Sequence, residues 1–157
     1  MRSRGRTIVR SWKLGLLLAS AAVIAGSSPA RAAQVLITPE EAALPPPKGA
    51  VITERRGITR GPKVDVVSNP GELRSPMRFQ LKFEPYGGAK IDPTSVKVIY
   101  LRTPNVDLTQ RIKAFVQPSG IDIPEVELPA GEHMVRVDVK DSDGRIGTTS
   151  FLLKVVP

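Results

Sequence analysis

The chain has 157 residues, with 15 prolines, no cysteine, 41% hydrophobic residues and only 4% aromatic ones. Its formal charge is +8, from 23 basic and 15 acidic residues. A chain of this length makes one ordinary domain, and without cysteine it has neither disulfide staples nor thiol chemistry.

In chain order, the first expected element is an address. Arg2, Arg4, Arg6, Arg10 and Lys13 precede an apolar run from Leu14 to Gly26. Ser27-Ser28-Pro29 and the small-residue pattern Ala30-Arg31-Ala32 follow. That order predicts a secretory signal peptide over residues 1–32. The apolar run is shorter than the about 20 residues of a bilayer-spanning helix, and no adjacent arginine pair marks a twin-arginine signal. Six basic residues lie before the cleavage point, which leaves 17 against 15 acidic ones and +2 for residues 33–157. The high basicity thus belongs mostly to the leader. A nucleic-acid partner, which needs a sustained basic face, is not expected. A periplasmic or secreted location is, with no transmembrane segment after cleavage.

Residues 33–60 read as a Pro-rich linker or arm and not as core. Thr38, Pro39 and Glu41 have the arrangement of an N-cap, first-turn proline and capping-box glutamate. Pro45-Pro46-Pro47 stops any helix within a turn or two and favours an extended polyproline stretch. Arg55, Arg56 and Arg60 come next, at the start of a local basic excess. From Lys48 to Lys82 there are eight Lys/Arg against Glu54, Asp65 and Glu72. Guanidinium suits phosphate and carboxylate, so these three arginines form the expected interaction patch. Its partners would be anionic headgroups, anionic glycans or an acidic protein; a solvated spacer is the plainer alternative.

From Gly61 the period becomes two. Val64 and Val66 alternate with Lys63 and Asp65, and Asn69-Pro70-Gly71 marks a turn. Phe79, Leu81 and Phe83 alternate with Arg78, Gln80 and Lys82 before the break at Pro85-Tyr86-Gly87-Gly88. Val96, Val98 and Tyr100 share one face, as do Val135, Val137 and Val139, and Phe151, Leu153 and Val155. Short alternating runs parted by Gly, Pro, Asn and Asp predict an antiparallel β-sandwich of about seven strands over 61–157. Asn105 to Phe115 fits either a short strand or one helical turn.

The motifs run in a particular order. Ile91-Asp92-Pro93-Thr94-Ser95-Val96 is followed by Val106-Asp107-Leu108-Thr109. Then come Leu128-Pro129-Ala130-Gly131-Glu132-His133-Met134-Val135, Asp141-Ser142-Asp143-Gly144 and a closing Phe151-Leu152-Leu153 strand. This resembles the bacterial immunoglobulin-like modules of exported and cell-surface proteins, over about residues 61–156. The resemblance implies a single all-β, immunoglobulin-like sandwich. It names no function, because such sandwiches serve adhesion, carbohydrate binding, spacing and assembly alike. The chain departs from the pattern in an extra Leu101-Arg102-Thr103-Pro104, and in Arg145 where such modules often carry Asn.

Each chemically suggestive residue has a structural alternative. Asp141 and Asp143 supply two carboxylates, while calcium takes six to eight oxygens; Asp-Gly between two alternating runs is itself a hairpin signal. Asp92, just before Pro93, suits an Asx turn at a strand opening. His133 is the only histidine and lacks the companions of a zinc site or a catalytic triad. It stands where related modules often have Tyr and is expected to bond a backbone carbonyl across a corner. Glu125 and Glu127 share a strand face, which suits solvent better than a glycosidase pair without an aromatic cleft. Tyr86 is the one aromatic residue available to stack on a sugar. No cofactor or metal is expected, and no enzymatic activity. The expected role is an exported binding, assembly or spacer module of the bacterial envelope, its partner an envelope protein or cell-wall glycan. Carbohydrate or peptidoglycan binding is the alternative.

Overall fold

A computed structural model describes residues 33–47, 60–67 and 71–157. The expected signal peptide, Arg55, Arg56 and Asn69-Pro70 lie outside the described residues. The described residues fall in one compact unit. Their strands are β1 (Gln34–Val35), β2 (Lys63–Val66), β3 (Leu73–Arg74), β4 (Met77–Glu84), β5 (Ile91–Tyr100), β6 (Val106–Asp107), β7 (Val116–Gln117), β8 (Gly120–Glu127), β9 (Gly131–Asp141) and β10 (Ile146–Val156). Two single-turn helices, α1 (Pro39–Ala42) and α2 (Thr109–Ile112), complete the set, with a 3₁₀ turn at Lys113–Phe115. One sheet has the order β1-β8-β4-β2, with β7 also on β8, and the other β3-β10-β9-β5-β6. The fold is an all-β sandwich.

The alternation seen in the sequence becomes the two faces of each sheet. Phe79, Leu81 and Phe83 of β4 are buried, as are Val96, Val98 and Tyr100 of β5 and Val135, Val137 and Val139 of β9. Each of these aliphatic or aromatic side chains stabilises the fold by about 2 kcal/mol through its removal from water. Their polar neighbours, pointing the other way because the strand period is two, form the outer faces. The long pairings are antiparallel, as expected. The two-residue strands β1 and β3 instead pair in parallel, with β8 and β10 respectively. Between Asn105 and Phe115 the chain takes both expected forms in succession. Val106–Asp107 pairs with β5, and the chain then turns once through α2. Asp107 accepts the Thr109 N–H at 2.8 Å, which starts that turn.

The expected arm begins inside the sandwich. Thr38 caps α1 as its spacing implies: its hydroxyl accepts the Glu41 N–H at 3.3 Å, and the Glu41 carboxylate accepts the Thr38 N–H at 3.0 Å. Before it, β1 covers the edge of β8, and Leu36 and Ile37 are fully buried. This departs from the reading that nothing before Gly61 belongs to the core, because two adjacent apolar residues carry no period. The segment is fastened by Arg111 of α2. Its guanidinium donates to Glu41 Oε2 at 2.7 Å and Oε1 at 2.6 Å, and to the Leu36 carbonyl at 2.7 Å. The polyproline stretch then rests on the extra Leu101–Pro104 residues, where Thr103 N–H donates to the Pro45 carbonyl at 3.0 Å.

Arg111 is therefore the fastener whose removal has a local readout. Arg111→Ala leaves Glu41 half-buried without its cation, and we expect a loss of about 2 kcal/mol, between an exposed and a buried pair. Limited proteolysis within residues 33–47 should accelerate well beyond that in the β9–β10 hairpin. Equal acceleration at both places would mean that the segment does not depend on Arg111.

Candidate anion-binding face

The Asp141 turn closes the β9–β10 hairpin. Asp141 Oδ1 accepts the backbone N–H of Asp143 at 3.0 Å and of Arg145 at 2.9 Å, and Oδ2 accepts Arg145 Nε at 2.8 Å. Gly144 sits at φ 79°, the left-handed conformation that such a turn demands. Burial alone would raise the Asp141 carboxyl, but the backbone N–H and guanidinium of Arg145 and the Asp143 N–H hold it below its ordinary value. Asp143 takes the other side of the Arg145 guanidinium at 2.5 Å. Both carboxylates are thus spent on the turn, and Arg145 is what they hold. Among the described residues no three His, Cys, Asp or Glu side chains assemble as a metal set.

His133 has both ring nitrogens engaged. Nε2 lies 2.8 Å from the Pro129 carbonyl, so it carries the proton; Nδ1 then accepts from the Tyr100 hydroxyl at 3.0 Å. That hydroxyl in turn accepts Arg102 Nε–H at 2.6 Å. The expected bond to a backbone carbonyl is present, and the Tyr100–Arg102 half of the chain is new. Burial pushes the imidazole below its ordinary value; the Pro129 carbonyl opposes this and the Arg102 charge adds to it. Asp92 opens its strand as an Asx turn, accepting the Thr94 N–H at 2.9 Å. Glu125 and Glu127 are both exposed on β8. Tyr86 is 51% exposed, but the Arg145 guanidinium lies 5.4 Å from its ring centre, and Arg145 Nη2 bonds its carbonyl at 3.1 Å. Part of the ring surface available to a sugar is taken by that cation.

The two outer faces differ in how their charges are matched. On β4 and β8, Arg78 forms a fork to Asp122 at 2.8 and 2.6 Å, and Lys82 meets Glu84 at 3.0 Å. On the other sheet, strand register brings Lys97 of β5 opposite Asp138 of β9, and Asp138 opposite Thr148 of β10. Arg136 and Lys140 lie two residues to either side of Asp138 and so share its face. The β5 register shifts between Asp92 and Lys97. Beside that shift lies a recess of about 500 Å³ lined by Ser95, Lys97, Arg136, Asp138, Lys140, Ile146 and Thr148, with Val139 beneath.

Within it Asp138 accepts Thr148 Oγ1 at 2.9 Å and pairs with Arg136 Nη2 at 3.2 Å. Arg136 Nε is buried with no hydrogen-bond partner. Among the described residues no carboxylate lies within 4 Å of the Lys97 or Lys140 ammonium, where Asp138 is the recess's single acid. The recess was hidden in the sequence because Lys97 and Arg136 are 39 residues apart, and each reads singly as the solvated side of a strand. Of the expected patch, Arg60 is described and exposed. It precedes Gly61, which packs so tightly on Ile146 that a Cβ there would overlap the Ile146 carbonyl. Arg60 therefore enters beside the strand end that contributes Ile146 to the recess.

No helix among the described residues is long and apolar enough to cross a membrane. No family model and no curated protein matches the chain. Among solved structures, CopC from Methylosinus trichosporium OB3b is similar at 20% identity with a TM-score of 0.39, over 60% of this chain and 95% of that one. A likeness of that size does not extend to function.

Proposed function

We propose that the chain is an exported, non-catalytic binding module of the bacterial envelope, and that it engages an anionic partner through the outer face of β5, β9 and β10. One observation carries this reading: three cations line the recess against a single carboxylate, and one guanidinium nitrogen there is buried without an acceptor. A buried donor left unpaired costs about 1–3 kcal/mol, and an acceptor that reaches it on a shift of the Arg136 side chain would offset that cost. The only histidine and the Asp141 turn are committed to structure, so binding is what the remaining polar residues offer. Arg60, exposed and next to Gly61, adds positive charge beside the strand end that contributes Ile146 to the recess.

The test compares capture from envelope extract by residues 33–157 and by the Lys97→Glu/Lys140→Glu variant, with Lys113→Glu as a surface control. The expected result is a partner retained by the parent and the control, lost from the recess variant, and released by raised salt. Equal capture by all three would move the site off this face.

A further inference from the structure

We infer that the recess is a subsite for a phosphate monoester, an inference that rests on reading this face as the binding surface. The argument is an inventory of donors. Lys97 and Lys140 each present three N–H donors, and Arg136 lines the recess beside them with its Nη2 on Asp138 and its Nε–H buried and unpaired. The acceptors already present are few: Asp138 Oδ1 is occupied by Thr148 and Oδ2 by Arg136, and Ser95 Oγ bonds the Asp92 carbonyl at 2.7 Å and accepts the Lys140 N–H at 2.9 Å. The recess thus offers more donors than acceptors, and it favours a ligand rich in acceptors.

It favours a charged ligand as well. Three cations against Asp138 leave the lining at +2, which a phosphate monoester near −2 matches and a single carboxylate does not. The nearby Asp92 and Asp107 feel Lys140 and Lys97 respectively, but each turns its Oδ1 to a threonine, Thr94 and Thr109, and neither forms an ion pair with a lysine of the recess. The lysines therefore keep their donors for a guest. Ile146, 58% exposed at the rim, gives an apolar shoulder for the organic part of an ester. On the β4–β8 face, by contrast, Arg78 is paired with Asp122 and Lys82 with Glu84.

The experiment is an NMR titration of residues 33–157 with glycerol 3-phosphate, beside acetate and glycerol at equal ionic strength. Sedimentation with phosphatidylglycerol vesicles separates a lipid source of phosphate from a soluble one. The expected result is saturable shifts at Ser95, Lys97, Arg136, Lys140 and Thr148 with glycerol 3-phosphate, and none with glycerol. Lys97→Ala should weaken that binding about tenfold, the loss of one charge-assisted bond. Its unchanged spectrum elsewhere would show that it folds. Shifts spread over Arg74, Lys113 and Lys154, or equal in acetate, would overturn the phosphate subsite. If the extract partner still depends on Lys97 and Lys140 while glycerol 3-phosphate does not bind, the ligand class is wrong and the binding face stands. If both dependences vanish, both readings fall.

Discussion

Gly147→Ala is expected to lower the unfolding free energy by about 3 kcal/mol or more, the range of a core position forced to accept an atom it has no room for. Gly147 lies near the start of β10, buried against the lead-in to β2 from the other sheet. A Cβ there would overlap the Pro62 carbonyl oxygen, with the carbonyl carbon at 2.9 Å and the proline Cγ at 3.2 Å. Neither neighbour can swing aside, because both belong to a backbone and a ring held between two sheets. Gly61 has the reciprocal problem against Ile146, so the two glycines let the sheets touch backbone to backbone at this corner. Urea unfolding of parent and variant measures the effect. A loss below about 1 kcal/mol would mean that the corner opens easily, and that Arg60 is not held beside the recess.

His133→Ala is expected to cost about 3 kcal/mol, from a cavity in the core and from a Tyr100 hydroxyl left without its acceptor. The parent should also carry a pH signature that the variant lacks. In the unfolded chain the imidazole titrates near its ordinary 6.5, while burial holds the folded value lower. Above about pH 6.5 neither state is protonated, and the full stability is present. As pH falls below that, the unfolded state takes up a proton that the native state refuses, so stability drops until the folded value is passed. The carboxylates of Glu41 and Asp141 have lowered values, so their contributions are lost only in more acid solution. Between about pH 7 and 5, then, the parent should weaken while His133→Ala stays nearly flat. Parallel curves would show that the imidazole is not held neutral by its surroundings.

Much of the architecture is legible in the sequence. The runs at Phe79–Phe83, Val96–Tyr100 and Val135–Val139 revealed their buried faces, since one strand period sorts apolar from polar whatever the partner is. Local hydrogen bonding was readable too: the Thr38–Glu41 box, the Asx turn at Asp92 and the Asp-Gly hairpin each close within five residues. His133 was rightly placed at a corner against a carbonyl, but Tyr100 and Arg102 come from a different strand and nothing in the local pattern announces them. Leu36 and Ile37 show no period, being only two residues, and the Arg111 guanidinium that bonds the Leu36 carbonyl and Glu41 comes from about 70 positions away.

The candidate site divides in the same way. Arg60 was singled out as part of a run of like charge, a property of neighbours along the chain. The recess depends on which strands lie side by side, and on a shift of register in β5 that brings Lys97 beside Asp138. The long strands β4, β5, β9 and β10, their inward faces and the Asp141 turn are legible in the sequence, because each follows from interactions among residues a few positions apart. The two-residue strands β1, β3 and β7 are too short to show a period. Only the tertiary structure decided that the arm begins inside the core, that the Asp141 turn consumes its own carboxylates, and which cations remain unmatched. Those outcomes are balances of charge and space between strands, and a balance exists only once the strands have met.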